Sequence, residues 1–455
     1  MRHAFAQEFD FARPTVATTS LSEILGAFSY ALDLTEGQPA GHSLRACWIA
    51  SQVAIALGLA PAERRTIYYA TLLKDLGCSS NAARIAELYL ADDRTFKQEF
   101  KLIGQGLGPT LGFVFRRTGA GEPLSARMRA IATILRDGSR IATDLIQTRC
   151  TRGATIARQL RFPESVAAAI AALDEHWDGG GKPLGVAGQA IPLAARLALL
   201  GQIADVFQKA AGPEAAEAEV RARRGTWLDP ELVDAFLKVS TRPGFWSHCN
   251  DPALELHVRA LEPEEARVAV DEDYLDDIAD AFGAVIDAKS PYTGGHSCRV
   301  GRYATALGRA MGVRETDLRA LRRAAVLHDV GKLAVSSRVL EKPGKLDDTE
   351  WVEMRSHASH TTEILSRIGP LRDMAAVAGA HHERLDGKGY PLGLDQSLIA
   401  TEARIISVAD FYDALTADRP YRAALPVERA LDIMSGEVGK AIDGPCFEAL
   451  RAMVS

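Results

Sequence analysis

The chain repeats itself, and that limits its possible folds more than any local pattern does. Gly41-His42-Ser43 precedes Lys74-Asp75-Leu76-Gly77 by the same interval that separates Gly295-His296-Ser297 from His328-Asp329-Val330-Gly331, a constant offset of 254. Further on, Glu175 to Pro183 lies under Glu383 to Pro391 at an offset of 208, and the gapless match continues through Ile191, Arg196 and Asp205, under Ile399, Arg404 and Asp413. One fold is therefore used twice. The drop from 254 to 208 gives the first copy 46 extra residues between Cys78 and Ile146, in a stretch punctuated by Gly104, Gly106, Gly108, Gly119 and Gly121.

The periodicities are helical nearly throughout, and few stretches alternate with period two. In the second copy Val300, Tyr303, Ala304, Leu307 and Met311 form a stripe at helical spacing, with His296 one turn before it on the same face. Leu318, Leu321 and Ala325 give the next helix a buried edge that delivers His328 inward, and Gly331 is placed to end that helix. Met354, His357 and Ile364 make a third inward face behind a cap at Asp348 or Thr349, and Ile406, Asp410 and Asp413 make a fourth. The simplest architecture is an all-α bundle repeated in tandem. The copies span 15–240 and 271–455; the proline-containing stretch from Thr241 to Glu265 anchors a connection over 241–270.

A chain of 455 residues can bury a core in each copy. A net charge of −6 argues against a polyanion-binding surface, because Arg116-Arg117 and Arg221-Ala222-Arg223-Arg224 are short clusters that read as solvated faces. Nucleic-acid polymers are not expected as partners. The six cysteines are scattered without metal-ligand spacing, as in a reducing cytoplasm. The most apolar run, Ile191 to Phe207, is broken by Arg196, Gln202 and Asp205, and Met1 to Pro14 lacks the apolar core of a signal peptide, so no membrane association is expected. Cys298 reads as a small core residue beside His296.

Six of the eleven histidines fall between His296 and His382. Such a density of nitrogen ligands, interleaved with Asp329 and Asp410 and carried inward on several helices, implies a metal centre. The ordered strings are His328-Asp329-Val330-Gly331-Lys332, Leu340 to Leu346, the isolated His357, His381 to Pro391 (HHERLDGKGYP), Val408-Ala409-Asp410 and Asp418-Arg419-Pro420-Tyr421-Arg422.

In these strings the region from about Asp273 to Ser455 resembles the HD-GYP domain, a branch of the HD superfamily of metal-dependent phosphohydrolases. The resemblance implies tandem HD-type helical bundles. It also implies hydrolysis of cyclic di-GMP, or a related cyclic dinucleotide, to pGpG and onward to GMP. The ligand set it implies is His296, His328, Asp329, His357, His381, His382 and Asp410. Positions matching Lys332, Tyr390, Arg419 and Arg422 approach the substrate in the family.

Five histidines and two aspartates exceed what one tetrahedral ion accepts, so two divalent ions are expected, with Asp329 as the bridge and a catalytic residue alongside Lys332. Imidazole and carboxylate without thiolate point to iron or manganese ahead of zinc or magnesium, and the resemblance favours iron. Lys332 suits a phosphate oxygen, and Arg419 and Arg422 suit the substrate phosphates as forked donors. Gly387 and Gly389 let the loop bearing Tyr390 turn sharply. Asp386 reads as an organiser of that loop and His360 as a surface residue. Two departures from the family pattern stand out: Tyr292 occupies the place of a glutamate that supports a third metal, and Thr361 occupies a place often held by glycine.

The first copy has lost the ligand set. Lys74 stands at the place of His328, Arg149 at that of His357, Leu173 and Asp174 at those of His381 and His382, and Gln202 at that of Asp410. Lys74 and Arg149 are placed to neutralise Asp75 and Asp174. This half is expected to serve regulation, dimerisation or contact with a signalling partner. The rival to an enzyme is a non-catalytic scaffold that binds a cyclic dinucleotide, or a partner protein, without turnover.

Overall fold

The computed structural model describes residues 20–104, 106–263, 268–290, 294–418 and 423–454. Tyr292, Arg419 and Arg422 lie outside the described residues. Among those described, every regular element is a helix, and the only extended pairings are isolated bridges such as Arg224 with Leu228 and Val438 with Ile442. No helix there is long and apolar enough to cross a membrane. The chain divides into two compact units, one over Ser20–Ala269 and the other over Val270–Ser455.

In the second unit the helices Glu272–Asp287, His296–Ala310, Glu315–Leu327, Asp348–Ser366, Arg372–Gly379 and Thr401–Thr416 supply the frame. The stripe on the helix begun by His296 packs inward, with Val300, Ala304 and Leu307 fully buried and Tyr303 and Met311 half-buried at its margin. Gly295 adopts φ 73 as the residue before this helix, a left-handed conformation that glycine adopts without steric cost. The cap of the His357 helix is Asp347, one residue before the sequence expectation. Its side chain accepts from the Glu350 amide while Glu350 reaches back to the Asp347 amide. Cys298 corrects another expectation: it is exposed, because a position two residues after the inward-facing His296 lies on the far side of the helix.

The first unit repeats the frame with Leu21–Thr35, His42–Ala56, Pro61–Leu72, Glu164–Ala171 and Leu193–Ala211, and with the C-terminal part of a 36-residue helix, Leu124–Gln159. The 46-residue insertion forms the helices Ala82–Tyr89, Asp93–Phe100 and Leu107–Arg117 and the first part of that long helix. Between 241 and 269 the chain makes two short helices, Phe245–Cys249 and Leu254–Arg259. It also buries Glu262, which accepts from the Ser22 hydroxyl at 2.7 Å and from the Tyr69 hydroxyl.

The repeat extends to individual polar contacts. His42 Nδ1 meets Asp205 Oδ2 at 2.6 Å, and His296 Nδ1 meets Asp413 Oδ2 at the same 2.6 Å. Arg45 Nε donates to Asp205 and Arg299 Nε to Asp413. The Ser43 hydroxyl donates to Asp33, and the Ser297 hydroxyl to Asp287, each at 2.7 Å. A Cβ on Gly77 would come 1.9 Å from the Arg149 carbonyl oxygen, and one on Gly331 equally close to that of His357. Glycine is therefore required wherever the His-Asp-x-Gly turn, or its decayed copy, crosses the helix behind it.

Candidate metal centre

The centre is assembled from three helix ends and the interiors of two further helices. His296 opens its helix, and His328 and Asp329 follow the end of Glu315–Leu327. His357 lies mid-helix in Asp348–Ser366, His381 and His382 follow Arg372–Gly379, and Asp410 sits within Thr401–Thr416. His296, His328, Asp329, His357 and His381 are buried, and His382 and Asp410 are half-buried.

Asp329 lies between two groups of ligand atoms. Its Oδ2 is 3.6 Å from His296 Nε2 and 3.3 Å from His328 Nε2, and Asp410 Oδ1 lies 3.4 Å and 3.8 Å from the same two nitrogens. Its Oδ1 is 3.5 Å from His357 Nε2 and 3.7 Å from His381 Nε2, and these two nitrogens are 3.4 Å apart. His357, His381 and His382 form one group able to hold an ion, and His296, His328 and Asp410 form another.

The opposite ring nitrogens fix the tautomers. Nδ1 of His328, His357 and His381 donates to the carbonyl oxygens of Ala325, Met354 and Ala378 at 2.7, 2.5 and 2.6 Å, three residues back in each case. His296 Nδ1 donates to Asp413. In the neutral ring each Nε2 is thereby the lone-pair nitrogen, and it faces the centre. His296 Nε2, His328 Nε2 and Asp329 Oδ1 are buried without a hydrogen-bond partner. Orphaned acceptors cost free energy in a closed interior, and a cation satisfies them together. The donor set therefore fits divalent ions.

Burial pushes the His357 pKa down to about 4 and that of His381 to about 3, and it lowers His382 as well. Neutral imidazole is the form a metal requires. His296 goes the other way: burial opposes its charge, but Asp329, Asp413 and Asp410 outweigh it and raise the pKa to about 9. Asp329 is held well below the ordinary carboxylate range, since His328 and Lys332 more than offset its burial.

Lys332 pairs its ammonium with Asp329 Oδ2 at the edge of the centre. The half-buried Tyr390 lies against the histidines, its ring centroid 4.8 Å from that of His382 and 6.1 Å from that of His357. Its loop is shaped by Gly387 at φ 71 and by Gly389, where a Cβ would come 2.4 Å from the Arg384 amide nitrogen. Asp386 accepts from the Arg384 side chain and the Lys388 amide within that loop. His360 is half-buried beside Glu363 and stands apart from the ligand groups.

Sequence reasoning missed three functions. Asp413 orients His296, and the joint retention of His42 and Asp205 in the decayed copy was a readable signal for it. Thr361 is a stitch, its hydroxyl donating to the His328 carbonyl at 2.8 Å and accepting from the Gly331 amide at 3.0 Å. Arg355 lies over the Tyr390 ring, a contact that no spacing rule indicated.

In the first unit Lys74 forms an ion pair with Asp75 and Arg149 with Asp174. Lys97 and Lys101 reach the buried Glu36 at 3.2 and 2.8 Å. Positive side chains occupy this interior where the second unit offers histidines.

An all-helical bundle that converges five imidazoles and two carboxylates on one buried point defines a metal-dependent phosphohydrolase of the HD type. The family model of the HD domain matches residues 138–232 and 281–445, so both halves carry it. The chain belongs to the HD-domain family, in its HD-GYP branch, with a degenerate N-terminal copy, and it is an HD-GYP-type phosphodiesterase. It is 47% identical over 434 residues, 95% of this chain and 94% of the relative, to the 3′3′-cGAMP-specific phosphodiesterase 3 of Vibrio cholerae. A crystal structure of a cyclic GMP-AMP-specific phosphodiesterase of Vibrio cholerae matches 95% of this chain and 97% of its own, with a TM-score of 0.65 and 42% identity. A cyclic di-GMP phosphodiesterase response regulator of Xanthomonas campestris is 39% identical over 159 residues, 33% of this chain and 41% of the relative.

Proposed function

We propose that the second unit hydrolyses cyclic dinucleotides, with 3′3′-cGAMP preferred to cyclic di-GMP, at a centre of two divalent ions. The observation that carries the reading is Asp329, whose two oxygens face two separate groups of lone-pair nitrogens. In this assignment His296, His328 and Asp410 hold one ion, His357, His381 and His382 hold the other, and Asp329 serves both. Bound there, iron or manganese would supply Lewis acidity towards a phosphate oxygen and a water-derived nucleophile at neutral pH.

The chain's own groups do the positioning. Carbonyl oxygens behind His328, His357 and His381, and Asp413 behind His296, hold the rings with Nε2 turned towards the centre. Lys332 is the cation beside Asp329, 23% exposed, and its side chain is placed to reach a substrate phosphate. Tyr390 sets its ring beside that of His382, where a nucleotide would approach. Arg419 and Arg422 retain their assignment as phosphate donors on sequence grounds alone.

The preference for 3′3′-cGAMP rests on coverage. The cGAMP-specific relative matches along both halves, whereas the cyclic di-GMP relative from Xanthomonas matches only a third of the chain. The test is a competition in which 3′3′-cGAMP and cyclic di-GMP are mixed with the metal-loaded protein and followed by chromatography. Faster loss of 3′3′-cGAMP is expected. Faster loss of cyclic di-GMP, or loss of neither, would overturn the respective part of the proposal.

A further inference from the structure

We infer that Arg355 and Trp351 form a guanine-reading platform beside the metal centre, an inference that rests on the cyclic-dinucleotide reading above. The Arg355 guanidinium carbon lies 5.5 Å from the centroid of the Tyr390 ring and 5.4 Å from that of the Trp351 ring. Tyr390 in turn lies against His382, so the row His382, Tyr390, Arg355, Trp351 runs from the ligands to the surface. Trp351 is 43% exposed, although an indole of this size is ordinarily mostly covered.

Arg355 is held by two aromatic faces, and among the described residues no carboxylate pairs with it. Other arginines of this unit, such as Arg319 and Arg322, end on aspartates. A guanidinium set against aromatic rings, with no carboxylate on it, keeps its forked N–H donors for a ligand. Such a fork matches two acceptors side by side. The O6 and N7 of guanine provide that pair, whereas adenine sets its N6 amino donor where O6 would be. The exposed Trp351 supplies the surface on which the base can lie. At the matching positions the first unit has Thr143 and Gln147, and Lys182 replaces Tyr390, so the row is confined to the half with the metal ligands.

The platform thus gives a 3′3′-cGAMP molecule a direction: the guanine half docks on Arg355, and the adenine half lies away from it. The same contact admits cyclic di-GMP and disfavours cyclic di-AMP. The experiment compares wild type, Arg355→Ala, Arg355→Lys and Trp351→Ala on 3′3′-cGAMP, cyclic di-GMP and cyclic di-AMP, with bis(p-nitrophenyl) phosphate as a substrate that lacks a base. Arg355→Ala is expected to lower kcat/KM for both guanine-containing substrates about 10- to 100-fold, the worth of one bidentate contact. Arg355→Lys should not restore it, and cleavage of the base-free substrate should stay unchanged.

An equal loss on all three dinucleotides would mean that Arg355 holds phosphate and would overturn the base reading, as would no loss on any. A second measurement is independent of turnover: the full chain should bind GMP more tightly than AMP, and Arg355→Ala should erase that difference. Wild type that cleaves no cyclic dinucleotide would defeat the proposed function. Equal binding of GMP and AMP by wild type would defeat this inference.

Discussion

Asp205→Asn and Asp413→Asn remove the same carboxylate from the two halves, and the structure predicts opposite orders for their effects on stability and on metal. Asp205 accepts from His42 and Arg45 with the arginine side chain only 6% exposed, whereas the matching Arg299 is 28% exposed. Breaking a buried, charge-assisted contact costs about 3 kcal/mol or more, and a partly solvated one about 1–2 kcal/mol. With about 2–4 °C per kcal/mol for units of this size, Asp205→Asn should lower the melting temperature more than Asp413→Asn. Metal affinity should reverse that order. Asp413 orients a proposed ligand, and loss of such a partner costs about 10- to 100-fold in affinity, equal to about 1.4–2.7 kcal/mol. Asp205 orients His42, beside which Lys74 already pairs with Asp75, so its variant should bind metal as wild type does. The assay is anaerobic competition with a chelator, read beside thermal melting. Wild-type metal affinity in Asp413→Asn, or an equal loss in both variants, would refute the reasoning.

Three further outcomes follow from particular contacts. Lys74→Met leaves the buried Asp75 without its ammonium and should destabilise the first unit by about 3–5 kcal/mol, so an unchanged melting temperature would count against the replacement of metal by lysine. Thr361→Val removes both bonds of the stitch behind His328 and should lower the denaturant midpoint by the equivalent of about 1–3 kcal/mol, with Thr361→Ser restoring most of it. Burial lifts Asp33 from 3.8 to about 7, so the folded chain keeps a proton that the unfolded chain releases in that window. The resulting stability is fully present below about pH 4 and lost as pH approaches 7. The stability of Asp33→Asn relative to wild type should therefore climb by about 1.4 kcal/mol per pH unit between pH 5 and 7, and a flat difference in urea melts would contradict the shift.

The helical frame and the convergence of the candidate ligands were legible in the sequence because both obey short rules. Helical spacing put His296, His357 and Asp410 on inward faces, and the repeat supplied a second reading of the same frame. What escaped it depends on contacts between distant segments. Arg355 sits on an exposed position of its helix, and its meeting with Tyr390 joins residues 35 apart. Thr361 looked like a departure from a glycine position, but its hydroxyl joins the helix to the His-Asp-x-Gly turn. Cys298 neighbours His296 in sequence, but two residues along a helix point to opposite sides, so it faces solvent.

The most direct test of the dinuclear reading is to purify wild type and Asp329→Ala anaerobically, count bound iron, manganese and zinc, and follow 3′3′-cGAMP by chromatography. A centre bridged by Asp329 predicts about two ions per wild-type chain, product from wild type only, and a reduced metal count in the variant. Two ions and turnover retained by Asp329→Ala, or one ion in a fully active wild type, would contradict it.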